Sequence, residues 1–136
     1  MPASLKFVAG LLLLGAVGAL ASALVKYRQA ASQSRSNAEA MTAGNAEAGS
    51  AAITRYGCGA CHFIPGVAGA TGRVGPSLRG VARRAIIGGR LPNNPANLML
   101  WIRQPEHVSP GTAMPEQPMA PQDVRDIAAY LYTLKS

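Results

Sequence analysis

Two cysteines, a histidine and two small residues stand in a row at Cys58-Gly59-Ala60-Cys61-His62, and no other stretch of the chain is so equipped for chemistry. Thiols separated by two residues can reach the two vinyl groups of one haem, and the adjacent imidazole then lies against the iron as an axial donor. Two other chemistries use similar residues. A redox dithiol of the thioredoxin kind sits beside a βαβ pattern, which this sequence lacks. A closed zinc site needs four ligands, and beyond Cys58, Cys61 and His62 the only other good donor is His107. The pentad therefore reads as a covalent haem attachment site, with thioethers at Cys58 and Cys61 and with His62 on the iron. Both cysteines of the chain lie in it, so no structural disulfide is expected.

An iron with histidine on one side takes a second protein ligand or keeps an open position on the other. Met114, Met119, Met99 and His107 are the candidates for that second position, and an open site is the further alternative. Thioether side chains fill core gaps well, which suits Met99 on its apolar stretch. Met114 lies in a loop stiffened by Pro and Gly, where an apolar residue has little packing reason to be.

The elements that must position these residues are helical. Asn45 can cap a helix over residues 46–56, with Glu47 in the first turn, where the helix dipole favours an anion. Ile53 and Tyr56 share one face of it with Gly49 one turn earlier, and the helix runs directly into Gly57 and the pentad. Residues 63–90 are rich in Gly and Pro and read as loop. Asn94 and Pro95 then cap and open a helix carrying Leu98, Met99, Leu100, Trp101 and Ile102, and Pro105 stops it. Residues 106–121 are too rich in proline for regular structure. The last helix, over residues 123–134, shows one apolar face of Val124, Ile127, Ala128, Leu131 and Leu134. No repeat or strand alternation interrupts this, so the folded part is expected to be all-α.

With 136 residues there is room for one small domain and an appendage. Residues 7–25 are an uninterrupted run of apolar, Gly and Ser residues between Lys6 and Lys26, just long enough to span a bilayer as a helix. A signal peptide is the competing reading, since Ala-x-Ala steps at 19–21 and 21–23 resemble cleavage sites. The expected organisation is an N-terminal transmembrane anchor or uncleaved signal over 1–28, a flexible Ala/Ser-rich linker over 29–45, and a haem domain over 46–136. A stiff helical extension of the anchor is the alternative to the linker. Of the formal charge of +7, the haem domain carries +4, from nine Lys/Arg against five Asp/Glu. Arg73, Arg79, Arg83, Arg84 and Arg90 form a run without an acid, but it lacks interleaved aromatics or any nucleic-acid motif. A solvated face, or steering toward an acidic protein partner, suits it better.

Cys58-Gly-Ala-Cys-His62, Gly75-Pro-Ser-Leu-Arg-Gly80, Leu98-Met-Leu-Trp-Ile-Arg-Gln-Pro105, Ser109-Pro-Gly-Thr-Ala-Met114-Pro115 and Asp126-Ile-Ala-Ala-Tyr-Leu131 occur in that order. Over roughly residues 45–135 the chain resembles the class I c-type cytochromes, whose membrane-anchored members are common in bacteria. The resemblance implies a small all-α fold wrapped around one haem c, preceded here by a single transmembrane helix. It implies Cys58 and Cys61 as thioether sites, His62 as proximal ligand and Met114 as distal ligand, with Met119 a possible rival. Pro76 matches the carbonyl that holds the proximal imidazole N–H. Arg84, with Arg83 as its competitor, matches an Arg near a haem propionate, and Trp101 an aromatic lining the distal side. Gly49 and Tyr130 match a close crossing of the first and last helices. The segment from Arg84 to Asn94 is shorter than in mitochondrial-type members, and the lysine-rich face of those proteins is reduced to scattered arginines.

The implied function is outer-sphere transfer of single electrons, with no catalytic residue, no small-molecule substrate and no nucleic acid. The implied partners are the membrane, a quinol-oxidising complex such as a quinol–cytochrome c reductase, and a terminal oxidase or other acceptor. A fixed haem c subunit of a membrane oxidase or dehydrogenase is the alternative, and a haem enzyme or ligand sensor with an open distal site is a third reading. Haem c is attached on the outer side of the energy-conserving membrane, which puts the domain on the periplasmic face of a bacterial inner membrane. Lys26, Arg28 and Arg35 would then lie outside, against the positive-inside rule.

Overall fold

The computed structural model describes residues 2–135, which divide between Gln33 and Ser34 into two compact units. The first unit is helical from Ala3, the start of α1 (Ala3–Thr42). Every described residue up to Gln33 is exposed, Phe7, Leu12 and Leu20 among them. At 1.5 Å per residue the apolar run is about 28 Å long, close to the thickness of a bilayer core. The helix is long and apolar enough to cross a membrane.

The second unit begins while the chain is still in α1. Residues 29–42, expected as flexible linker, are helix throughout. They hold four alanines and neither Gly nor Pro, so nothing in them breaks a helix. Ala38 and Thr42 are buried, so the end of this helix belongs to the packed unit rather than to a tether. Thr42 Oγ1 donates to the Ala38 carbonyl at 2.8 Å and accepts from the Gly44 N–H at 3.3 Å. Ala43 turns the chain in the left-handed region (φ 53°). Asn45 then caps α2 (Ala46–Arg55), its side chain accepting from the Ala48 N–H at 2.8 Å. The reversal is fixed from outside as well: the Asn45 N–H donates to the Asp126 carboxylate (2.8 Å) and the Ala46 N–H to Glu39 (2.9 Å).

α2 packs chiefly on α5 (Pro121–Thr133). A Cβ on Gly49 would lie 2.0 Å from the Asp126 carbonyl oxygen, so only glycine permits this approach. α5 buries Val124, Ile127, Ala128 and Leu131, as its periodicity predicts, and also Asp126 and Tyr132. α3 (Pro95–Arg103) starts at the Asn94 cap and buries Leu98 and Ile102. Two short elements depart from the expected loops. Pro105 opens a single helical turn, α4 (Pro105–Val108), because proline suits a first helical position. β1 (Ile86–Ile87) and β2 (Leu91–Pro92) form a small antiparallel hairpin turned by Gly88 and Gly89, both at positive φ. The architecture remains mostly helical.

Two tyrosines of α5 tie the surrounding loops to it. Tyr130 donates its hydroxyl to the Pro65 carbonyl and Tyr132 to Asn93 Oδ1, each at 2.7 Å. Asn93 in turn donates to the carbonyls of Val81 (2.9 Å) and Arg84 (2.8 Å). Burial pushes both phenols above the usual tyrosine range. The protonated phenol is thus the form that the fold favours. The associated stability is complete below the unfolded-state pKa and is lost as pH rises through the higher folded-state value. Thermal midpoints of the haem-loaded protein should therefore hold up to about pH 10 and fall above it. Tyr132→Phe should lower the midpoint at neutral pH and flatten that alkaline fall.

Candidate functional site

The pentad forms a tight turn at the C-terminal end of α2. Gly57 adopts a left-handed conformation (φ 69°) and admits a 3₁₀ turn over Cys58–Ala60. The His62 N–H closes it on the Cys58 carbonyl at 3.0 Å. Backbone bonds then fasten this turn to the next loop, Gly72 N–H to Gly59 O (3.0 Å) and Gly75 N–H to Cys61 O (2.8 Å). Pro76 follows at once, and its carbonyl lies 2.7 Å from His62 Nδ1. A carbonyl accepts only, so Nδ1 carries the proton and Nε2 keeps a free lone pair for a metal. A Cβ on Gly75 would come within 2.4 Å of the imidazole, so glycine is required where the loop passes the ring.

Cys58, Cys61, His62, Pro76, Arg84, Trp101 and Met114 all line one cavity of about 620 Å³. Its walls include the buried Ile53, Ile64, Leu98 and Ile127. Both thiols are free. Burial pushes the Cys58 thiol up; a backbone hydrogen bond opposes this and nearby Cys61 adds to it. A large apolar hollow, two unpaired thiols at one turn and an imidazole with its inner nitrogen free suit a haem joined through both cysteines. Among the described residues, no three of His, Cys, Asp and Glu converge as a metal cage.

The rivals separate by position. Arg84 lines the cavity and Arg83 does not; Met99 and the exposed His107 are also outside it. Met119 reaches the cavity but packs against the hydrophobic core, whereas Met114 lines the cavity without joining that core. The loop that carries Met114 is held locally: Glu106 accepts from the Gly111 N–H (3.2 Å) and Thr112 Oγ1 from the Met114 N–H (3.3 Å). The Arg84 guanidinium donates through Nη2 to the carbonyls of Ser77 and Arg79, bracing the turn that carries Pro76. Gly88 lies against the Trp101 ring, where a Cβ would come within 2.7 Å. The hairpin thus lies beside the indole.

A family profile described as cytochrome c matches residues 46–135. The chain belongs to the cytochrome c family. This cytochrome accordingly carries covalent haem c and is an electron-transfer haem protein. It is also similar to "Cytochrome c oxidase subunit 2" of Alkalihalophilus pseudofirmus, 38% identical over 79 residues. That match covers 57% of the cytochrome but 22% of the oxidase subunit. No solved structure matches the cytochrome.

Several residues that shape the site escape a reading of the sequence. Gly88 and Gly89 between two apolar pairs are a hairpin signal that could have revealed the cover over Trp101. Asn93 and Gln117 belong to no motif. Asp126 looks like a surface residue of α5 until the Asn45 N–H is found on it.

Proposed function

We propose that this cytochrome carries single electrons by outer-sphere transfer, with both axial positions on the iron filled by its own residues, His62 and Met114. The observation that carries this reading is the sorting of the two loop methionines: both line the cavity, but Met119 packs against the hydrophobic core and Met114 does not. When bound, the haem supplies a one-electron ferric–ferrous couple. Cys58 and Cys61 hold it covalently, and the Pro76 carbonyl fixes the His62 ring and raises its basicity as a ligand. The apolar wall of Ile53, Ile64, Leu98 and Ile127 excludes water and disfavours the extra charge of the oxidised state. A Met/His pair also raises the potential, which suits a carrier between a quinol-oxidising complex and a terminal oxidase. Arg84 is placed to meet a propionate with the N–H groups that the loop carbonyls leave open.

Partners would dock where the cavity reaches the surface. Val74 is 79% exposed and Ile86 49%, and both line the cavity. Arg73, Arg79, Arg83 and Arg90 are exposed on the same loops, with no acid among them. Such a face fits a small transient contact with an acidic protein surface. The N-terminal helix would anchor the protein in the bacterial inner membrane with the haem unit on the periplasmic side.

A fixed subunit of a membrane oxidase is the second reading, and the similarity to an oxidase subunit favours it. Extraction in mild detergent separates the two. A free carrier leaves the membrane alone, whereas co-purification with a larger haem- and copper-containing complex in constant stoichiometry would establish the subunit.

A further inference from the structure

α2 ends directly before the haem cysteines, and the last carbonyls of a helix lack partners within it. The Tyr56 carbonyl, two residues before Cys58, is one of these, and it accepts from the side-chain amide of Gln117 at 3.1 Å. Gln117 sits between the two loop methionines and is half-buried on the cavity wall. Its own backbone carbonyl accepts the Met119 N–H at 2.8 Å, closing a tight turn around Pro118. One residue therefore does two things. Its side chain ties the methionine loop to the end of the attachment helix, and its backbone turns Met119 toward the core. The other anchors of the loop, Glu106 and Thr112, act within the segment itself. Gln117 alone among these three joins the methionine loop to the helix that delivers the cysteines.

We propose that Gln117 is a positioning residue that holds the methionine loop shut over the haem. Its bond to the Tyr56 carbonyl keeps Met114 seated and sets how often the loop opens to let an outside ligand reach the iron. The proposal rests on the reading of Met114 as the distal ligand. It differs from a general contribution to stability because Tyr56 offers an internal contrast. The Tyr56 hydroxyl donates to Asp123 at 2.7 Å, on the first turn of α5, and this bond does not touch the methionine loop.

The test is imidazole titration of the ferric, haem-loaded full chain, followed by displacement of the weak far-red absorption band of methionine–iron ligation. Gln117→Leu should retain the band without imidazole and bind imidazole about fivefold more tightly, the effect of one lost partly buried hydrogen bond on loop opening. Gln117→Glu, which keeps the side chain's length but removes its donor, should do the same, and Gln117→Lys should recover much of the closed state. Tyr56→Phe should lower the thermal midpoint and leave imidazole affinity unchanged. Equal affinities in Gln117→Leu, Gln117→Glu and the parent would overturn the proposal, as would an equal rise in Tyr56→Phe. Met114→Leu is the separate control: if it neither loses the band nor gains ligand affinity, the assignment of Met114 itself is at fault.

Discussion

Met114→Leu is expected to leave the haem attached and to open the iron to ligands from outside. Leucine matches methionine in size but offers no donor atom, and the residue does not belong to the hydrophobic core, so the fold should change little. The reduced variant should bind carbon monoxide, and the oxidised variant should lose its far-red band. Its reduction potential should fall, because the thioether that favours the reduced state is gone. Met119→Leu should behave differently. It alters a side chain packed on the core, so a modest loss of stability of about 1 kcal/mol is expected, with no change in ligation. Carbon monoxide binding by the Met119 variant and not by the Met114 variant would reverse the assignment.

Gly49→Ala should be among the most destabilising single changes in the second unit. The added carbon would lie 2.0 Å from the Asp126 carbonyl oxygen and 3.0 Å from the Tyr130 Cβ. The first of these is backbone in the middle of α5, so α2 and α5 must separate. Overpacking of this kind costs about 3 kcal/mol, which corresponds to a fall in thermal midpoint of about 15 °C for a domain of this size. Haem attachment should suffer too, because α2 delivers the cysteines. Gly10→Ala is the matched control: its added carbon meets nothing within 4 Å, and alanine is the better helix former. A melt of Gly49→Ala within a few degrees of the parent would show that α2 and α5 do not depend on this close a crossing.

Acidic pH should loosen a different corner. The Tyr56 hydroxyl, desolvation opposing it, and Arg55 beside it together hold the Asp123 carboxyl below its usual range. A depressed folded-state pKa contributes stability above the unfolded value, lost as pH falls through the folded one. Asp123 is half-buried beside an exposed Arg55, where solvent screens the charges, so this contribution is small, and the Arg55 pair at 3.1 Å adds little to it.

What the sequence makes legible follows from how local each signal is. Cys58, Cys61, His62, Pro76 and Met114 carry their chemistry within a few residues, and all of them line the cavity. The caps at Asn45 and Asn94 are equally local, and both side chains accept the expected N–H. What the sequence hides depends on distant partners. Asp126 is buried because it receives the Asn45 N–H from 81 residues away and the Gln122 amide from the turn before. An aspartate on a helix is ordinarily a surface residue, so no pattern of spacing reveals this. The end of α1 is hidden for a related reason. Its polar composition suggests open chain, whereas Ala38 and Thr42 find a packing surface that only the folded domain supplies.

Carbon monoxide distinguishes an iron closed by two residues of this chain from an open one. The purified, haem-loaded protein is reduced at neutral pH and exposed to the gas while its absorption spectrum is recorded. An unchanged reduced spectrum is the predicted result, with the far-red band present after reoxidation. A shift to a carbon monoxide complex in the unmodified protein would rule out Met114 as a ligand and identify an open haem site in place of a carrier.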